Sequence, residues 1–186
     1  MKNLLKLFLP LLIISPLSHA QLESWYAYSG FGSANYNDSP YNNLTNTNIS
    51  RVKFTMDIFG AYWPVAQTTT IIGFQLGSSA DAISNGYNIN QLTYTATAAS
   101  AMHFFGYEPG DGFFLRGDVG LVKGSYTEDS VLVAQSQFAL HTLIGGGFGF
   151  PISENTRILA NFNASFNRLD SGSTSVKTSV GLGFLW

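Results

Sequence analysis

The last twelve residues, Ser175 to Trp186, read S-V-K-T-S-V-G-L-G-F-L-W. Val176, Val180, Leu182, Phe184 and Trp186 fall on one set of alternate positions, with Thr178 among them. Lys177, Ser179, Gly181, Gly183 and Leu185 make up the other set. A period of two over this length is a β-strand, because successive side chains leave opposite sides of the pleat. The backbone of such a strand needs partners along its edges, and its apolar face needs cover. The rest of the chain is therefore expected to supply sheet.

The same period recurs in seven upstream segments. From about Glu23 to Tyr36, Trp25, Ala27, Ser29, Phe31 and Ser33 oppose Tyr26, Tyr28, Gly30, Gly32 and Ala34. The second segment sets Val52, Phe54, Met56, Ile58, Gly60 and Tyr62 against Lys53, Thr55, Asp57, Phe59, Ala61 and Trp63. In the third, Ile72, Phe74 and Leu76 oppose Ile71, Gly73, Gln75 and Gly77. The fourth gives Leu92, Tyr94, Ala98, Met102 and Phe104 as the apolar face and Thr93, Thr95, Thr97, Ala99 and His103 as the small, hydroxylated one. The fifth opposes Phe113, Leu115, Val119 and Leu121 to Phe114, Arg116, Asp118 and Gly120. Phe138, Leu140, Ile144 and Phe150 lead one face of the sixth, and Ile158, Ala160, Phe162 and Phe166 one face of the seventh.

The connections alternate in character. Asn37–Ser50, Ser78–Asn90 with its Asn85-Gly86 turn, Gly124 to about Ala134, and Arg168–Thr174 are polar stretches read as loops. Pro64–Gln67, Gly106–Gly112 and Pro151–Thr156 are short turns. Both ends of the barrel segment then lie at the short-turn end, where the first and eighth strands can pair and leave no open edge.

Composition narrows the setting. Lys2 and Lys6, the apolar run Leu7–Leu17 and the ending Ser18-His19-Ala20 describe a secretory leader over residues 1–20, leaving 21–186 as one barrel domain. There is no cysteine, so neither a disulfide framework nor an N-terminal lipid attached to Cys is expected. Two of the nine Lys/Arg lie in the leader, so the remaining chain is acidic, which argues against nucleic acid as a partner. Only 11% of residues are charged while 15% are aromatic, against a charged share of about 25% in soluble domains. Beyond the leader no apolar run is long enough for a spanning helix. A membrane location would then require a closed barrel.

The terminal aromatics Phe184 and Trp186, the opening Trp25-Tyr26 with alternating glycines after it, and the rhythm of long polar and short connections resemble the small Gram-negative outer-membrane β-barrels of the OmpA/OmpX type. The resemblance implies an all-β fold, an eight-stranded antiparallel up-and-down transmembrane β-barrel. It also implies that Phe184 and Trp186 belong to the signal read by the outer-membrane assembly machinery. Outer-membrane lipid and lipopolysaccharide are the implied partners, with the protein monomeric and with no peptidoglycan-binding domain after the barrel. The implied role is structural or surface-interacting, with a narrow pore and a lipid-A-modifying barrel enzyme as alternatives.

Period two alone fits a soluble lipocalin-like barrel equally well, with the apolar face turned inward. Charge positions favour the membrane arrangement, since Lys53, Asp57, Arg116, Asp118 and Lys177 all fall on small-residue faces. An eight-stranded barrel leaves little interior space, so these five are expected to form a paired lumenal network, the alternative being charges in separate water pockets. Trp25, Tyr62, Tyr94, Phe113, Phe150 and Trp186 are expected to form the interfacial girdles.

Chemistry finds little support. Outside the leader the histidines are His103 and His141, neither with a Ser two residues away on its own face. The His and Ser pair of deacylase barrels is therefore missing, and each histidine is read as a lumenal, hydrogen-bonded side chain. With two isolated histidines and no cysteine, no metal and no cofactor are expected. Gly145-Gly146-Gly147 lacks the following Lys-Ser/Thr of a phosphate loop and reads as strand glycine.

Overall fold

In the computed structural model, residues 25–37, 39, 41–42, 49–84, 88–168 and 174–186 are described. Residues 1–24 with the leader, most of the first and fourth polar stretches and the Asn85-Gly86 turn lie outside them. The strands are β1 (Tyr26–Tyr36), β2 (Ser50–Pro64), β3 (Thr70–Ser84), β4 (Ile89–Phe104), β5 (Gly112–Glu128), β6 (Val131–Gln135), β7 (Ala139–Ser153), β8 (Thr156–Arg168) and β9 (Thr174–Leu185). Every ladder is antiparallel, and β4 pairs with β5 while β1 pairs with β9, so the sheet closes. The result is an eight-stranded up-and-down barrel whose sixth wall strand is split into β6 and β7. The closing seam runs from Tyr28↔Leu185 to Tyr36↔Lys177, and it is clamped where Ala27 and Trp186 exchange backbone hydrogen bonds of 2.7 and 3.0 Å. Closure gives each strand two neighbours, which is what allows a sheet to stand in hydrocarbon.

The aromatic face looks outward. Phe74 and Phe162 are 67% and 55% exposed, whereas Arg116 is 4% exposed. An apolar wall around a polar interior is the membrane arrangement, not the lipocalin one. Trp25, Phe113, Phe150 and Trp186 stand on the outer wall near its rims.

Two expectations fail on facing. Tyr62 and Tyr94 are not girdle residues: both point into the lumen and are buried. In β2 the register shifts between Asp57 and Phe59, so Ile58 is an extra residue that reverses the alternation beyond it. Phe59 and Trp63 therefore face out, while Gly60 and Tyr62 turn inward. In β4 the whole expected face is inverted. Ala99 pairs with Phe74 on one side and Val119 on the other, and both of these face lipid, so hydrogen bonding forces the odd positions of β4 outward. Met102, Phe104 and Tyr94 consequently fill the lumen, and His103 is on the outer surface, where it meets Thr70 at 2.9 Å.

Two stretches read as loops are largely strand. β3 runs on to Ser84, and β5 continues to Glu128 before a two-residue turn, Asp129-Ser130, with φ of 49° and 69°. Positive φ at both positions is the type I′ geometry of tight hairpins. Where a strand leaves the bilayer both its faces meet water, so the sequence alternation that marks it disappears.

Candidate functional site: the lumen and its outer mouth

Three layers fill the barrel. At the end where Ala27 meets Trp186, Tyr28, Tyr62, Ile71, Met102, Phe104, Phe114, Leu159 and Leu185 pack into an apolar cluster. Toward the other end Ala34, Tyr36, Tyr94, Val122 and Ala139 form a second, with the Tyr36 and Tyr94 rings stacked at 5.9 Å. Large side chains fit because glycines stand opposite them. A Cβ at Gly183 would lie 2.4 Å from the Tyr28 ring, and one at Gly60 would lie 2.6 Å from that of Tyr62.

Between these layers sits the polar cluster, centred on Arg116. Its Nη2 donates to Asp118 Oδ2 at 2.6 Å, and its Nε reaches both Asp118 oxygens at 3.0 and 3.1 Å. Its Nη1 donates to Asp57 Oδ2 at 2.7 Å. The Tyr28 hydroxyl also donates to Asp57, at 3.2 Å, and the Tyr28 ring centre lies 5.6 Å from the guanidinium carbon. Ser100 donates to Asp118, and the Tyr62 hydroxyl lies within hydrogen-bond distance of Ser100 Oγ and Gln75 Oε1. A guanidinium with two carboxylates, each supported by a hydroxyl, meets the demand that buried charges be paired and hydrogen-bonded.

The five expected residues are not all brought together. Arg116, Asp57 and Asp118 form the ion-paired cluster. Lys177 lines the same interior, but its Nζ donates to Thr55 Oγ1 at 3.4 Å. Lys53 lies closer to the mouth and donates to Asn35 Oδ1 at 2.8 Å. His141 is lumenal, with Nδ1 2.7 Å from Asn167 Oδ1.

A second ion pair holds the mouth at the end opposite the short turns, which is the outer one in barrels with short periplasmic turns and longer external loops. Arg51 binds both oxygens of Asp81 at 2.8 and 2.6 Å, and it also donates to Tyr41 O, Ser39 Oγ and Asn42 Oδ1. It thereby ties Ser39, Tyr41 and Asn42 to the rim of β2 and β3. Burial raises the pKa of the Tyr41 phenol above its ordinary value. Arg51 and Asp81 share the lumen-side alternation of Lys53 and Asp57. Both stand in strand ends that carry polar residues on both faces, so neither is marked by alternation.

Space inside is scarce. A cavity of about 30 Å³ touches Asp57, Gln75, Arg116, Asp118, His141 and Lys177, and a neighbouring one of about 20 Å³ touches Tyr28, Asn161, Asn163 and Lys177. These volumes suit one or two water molecules each. No group of three or more potential metal ligands occurs among the described residues.

No family model matches the sequence, and no curated protein matches it. Solved structures do share the fold. Neisserial surface protein A (NspA) superposes with a TM-score of 0.60 at 12% identity, over 87% of this chain and 95% of that one. Ail, the attachment invasion locus protein of Yersinia pestis, in complex with the heparin analogue sucrose octasulfate, gives 0.57 at 13% identity, over 88% and 99%. Identities this low speak for the fold alone. With its closed sheet, lipid-facing apolar wall and polar interior, the chain has the fold of the small eight-stranded outer-membrane β-barrels of OmpA/OmpX type.

Proposed function

We propose that this is a non-catalytic integral protein of the outer membrane, exported by the leader over residues 1–20, in which the lumen is a structural core and the outer ends of the strands are the working surface. The observation that carries this reading is the filled interior. Arg116 spans the barrel from β5 to Asp57 on β2, between two apolar layers, and the cavities of about 30 and 20 Å³ beside it have room for only a few waters. Passage of a solute would require one aromatic layer to part and the Arg116 cluster to be broken.

A lipid-modifying enzyme has less support. His141 is engaged by Asn167, and His103 lies on the lipid-facing wall beside Thr70, away from the lumenal carboxylates. The outward-facing Phe184 and Trp186 on the closing strand suit recognition by the assembly machinery, as the resemblance implies.

Planar-bilayer recording tests the reading directly. The refolded wild-type protein is expected to give no steady conductance, and lipid A from cells overproducing it is expected to keep its mass. Steady channels abolished by Arg116→Ala would establish the narrow pore in its place. Altered lipid A would establish the enzyme.

A further inference from the structure

The charged residues of the strands are sorted by face. Arg51, Lys53, Asp57, Asp81, Arg116, Asp118, Glu128, Arg157 and Lys177 all occupy lumen-side positions of the alternation. Only Lys123 on β5 and Arg168 on β8 occupy outward positions among the described strands. Both are cations, and every strand carboxylate is on the other face.

The two stand in one sector of the wall. Leu121 pairs with Leu140, and Leu140 pairs with Arg168, so these three form an outward row across β5, β7 and β8. Lys123 lies one outward position beyond Leu121, toward the outer mouth. From ordinary strand spacing and rise, the two Cα atoms are on the order of 12 Å apart. Two long side chains can close on a single group across that gap. Lys123 Nζ sits 5.3 Å from the centre of the Phe138 ring, and neither cation forms an ion pair among the described residues. Below them the wall is apolar but for Thr142, whose hydroxyl is turned to Phe166 O: Leu121, Leu140, Val119, Phe166 and Ile144 are all exposed. Beyond Lys123 on β5 the outward positions turn polar, at Ser125 and Thr127, so on this strand Lys123 stands at the outer end of the apolar run.

Resting on the outer-membrane reading above, we infer that Lys123 and Arg168 form a binding site for the phosphate of an anionic glycolipid of the outer leaflet, whose acyl chains lie along Leu121, Leu140 and Phe166. A free anion would use only the two cations. The apolar strip directly beneath them is what selects an amphiphile. Unpaired cations at the rim of hydrocarbon gain most from an anionic headgroup held at the same depth.

The test uses the full mature chain in phosphatidylcholine nanodiscs doped with either bisphosphorylated lipid A or its dephosphorylated form, with retained lipid read by native mass spectrometry. Wild type is expected to retain the phosphorylated lipid roughly tenfold better or more. The Lys123→Gln/Arg168→Gln variant is expected to lose that preference, while Lys53→Gln, a lumen-side cation, keeps it. Lys123→Arg/Arg168→Lys, which preserves both charges, is expected to keep it too. Equal retention of the two lipids by wild type, or an unchanged preference in the double Gln variant, overturns the site. Release of bound lipid A by an equal concentration of inorganic phosphate overturns the amphiphile assignment. A retained shift between unheated and boiled samples shows that the variants are folded. Channel activity in the wild type would sink the closed-lumen reading without touching this one.

Discussion

Arg116 on β5 reaches across the lumen to Asp57 on β2, with 2.7 Å between Nη1 and Oδ2, and this contact ties together two strands that share no ladder. Its loss should be felt by the whole barrel. Arg116→Ala leaves two carboxylates facing each other in a sparsely hydrated interior, and the expected cost is roughly 3 to 5 kcal/mol. Asp57→Asn should cost less, since Asp118 still neutralises the guanidinium. Urea unfolding of the refolded protein in detergent, followed by tryptophan fluorescence, measures both. A loss below about 1 kcal/mol for Arg116→Ala, the range of solvent-exposed pairs, would show that the cluster is hydrated and contributes little.

Lipid contact predicts a different sensitivity. Phe162→Arg places a charge on the outer wall and should cost roughly 2 to 4 kcal/mol if it lies near the bilayer midplane. Asn161→Arg turns into the lumen beside the cavity of about 20 Å³ and should act through crowding, at roughly 1 to 3 kcal/mol. Folding into vesicles of increasing acyl-chain length separates the two effects. Only the Phe162 variant should worsen as the bilayer thickens.

β4 offers the sharpest test of facing. Met102→Ala removes a fully buried side chain from the lower lumenal cluster and should cost roughly 2 to 5 kcal/mol. Ala99→Phe adds an aromatic to the lipid-facing wall and should leave stability nearly unchanged. The reverse ranking in the same unfolding assay would restore the facing suggested by the sequence of this strand.

Gly183 has no room for a side chain because the Tyr28 ring lies against it. Gly183→Ala should destabilise the closing seam by roughly 1 to 3 kcal/mol. Tyr28→Ala is costly in its own right, but it empties the space the new methyl needs, so the double variant should lose less than the sum of the two single losses. A double variant whose cost equals the sum of the two single costs would show that the two positions do not interact.

At the outer mouth, Arg51→Ala should release Ser39, Tyr41 and Asn42 by removing their shared anchor. Limited proteolysis of the intact protein in liposomes, with cleavage near Tyr41 mapped by mass spectrometry, should then run faster than in wild type. Unchanged cleavage would mean that the Tyr41 ring packing holds this segment without the arginine.

Much of this was legible in the chain. Trp186, Phe184, Leu182 and Val180 announce a strand with one greasy face, and Phe74, Phe138 and Phe162 repeat the signal, because alternation survives wherever one face meets lipid and the other a polar lumen. Arg116, Asp57 and Asp118 were identifiable as lumenal from their small-residue neighbours. Arg51 and Asp81 were not, since strand that stands in water carries polar residues on both faces and reads as loop.

The sequence by itself determined that this chain is eight alternating strands closing on themselves, and the small-residue positions of Arg116, Asp57 and Asp118 favoured an apolar wall turned to lipid over an apolar lumen. Only the tertiary structure decided which way β4 faces, that Tyr62 and Tyr94 line the lumen, and which charges meet. The reason is that one extra residue at Ile58 reverses everything after it, and that the phase of a strand with aromatics and threonines on opposite faces is set by its hydrogen-bonded neighbours, Phe74 and Val119, and not by its own hydropathy.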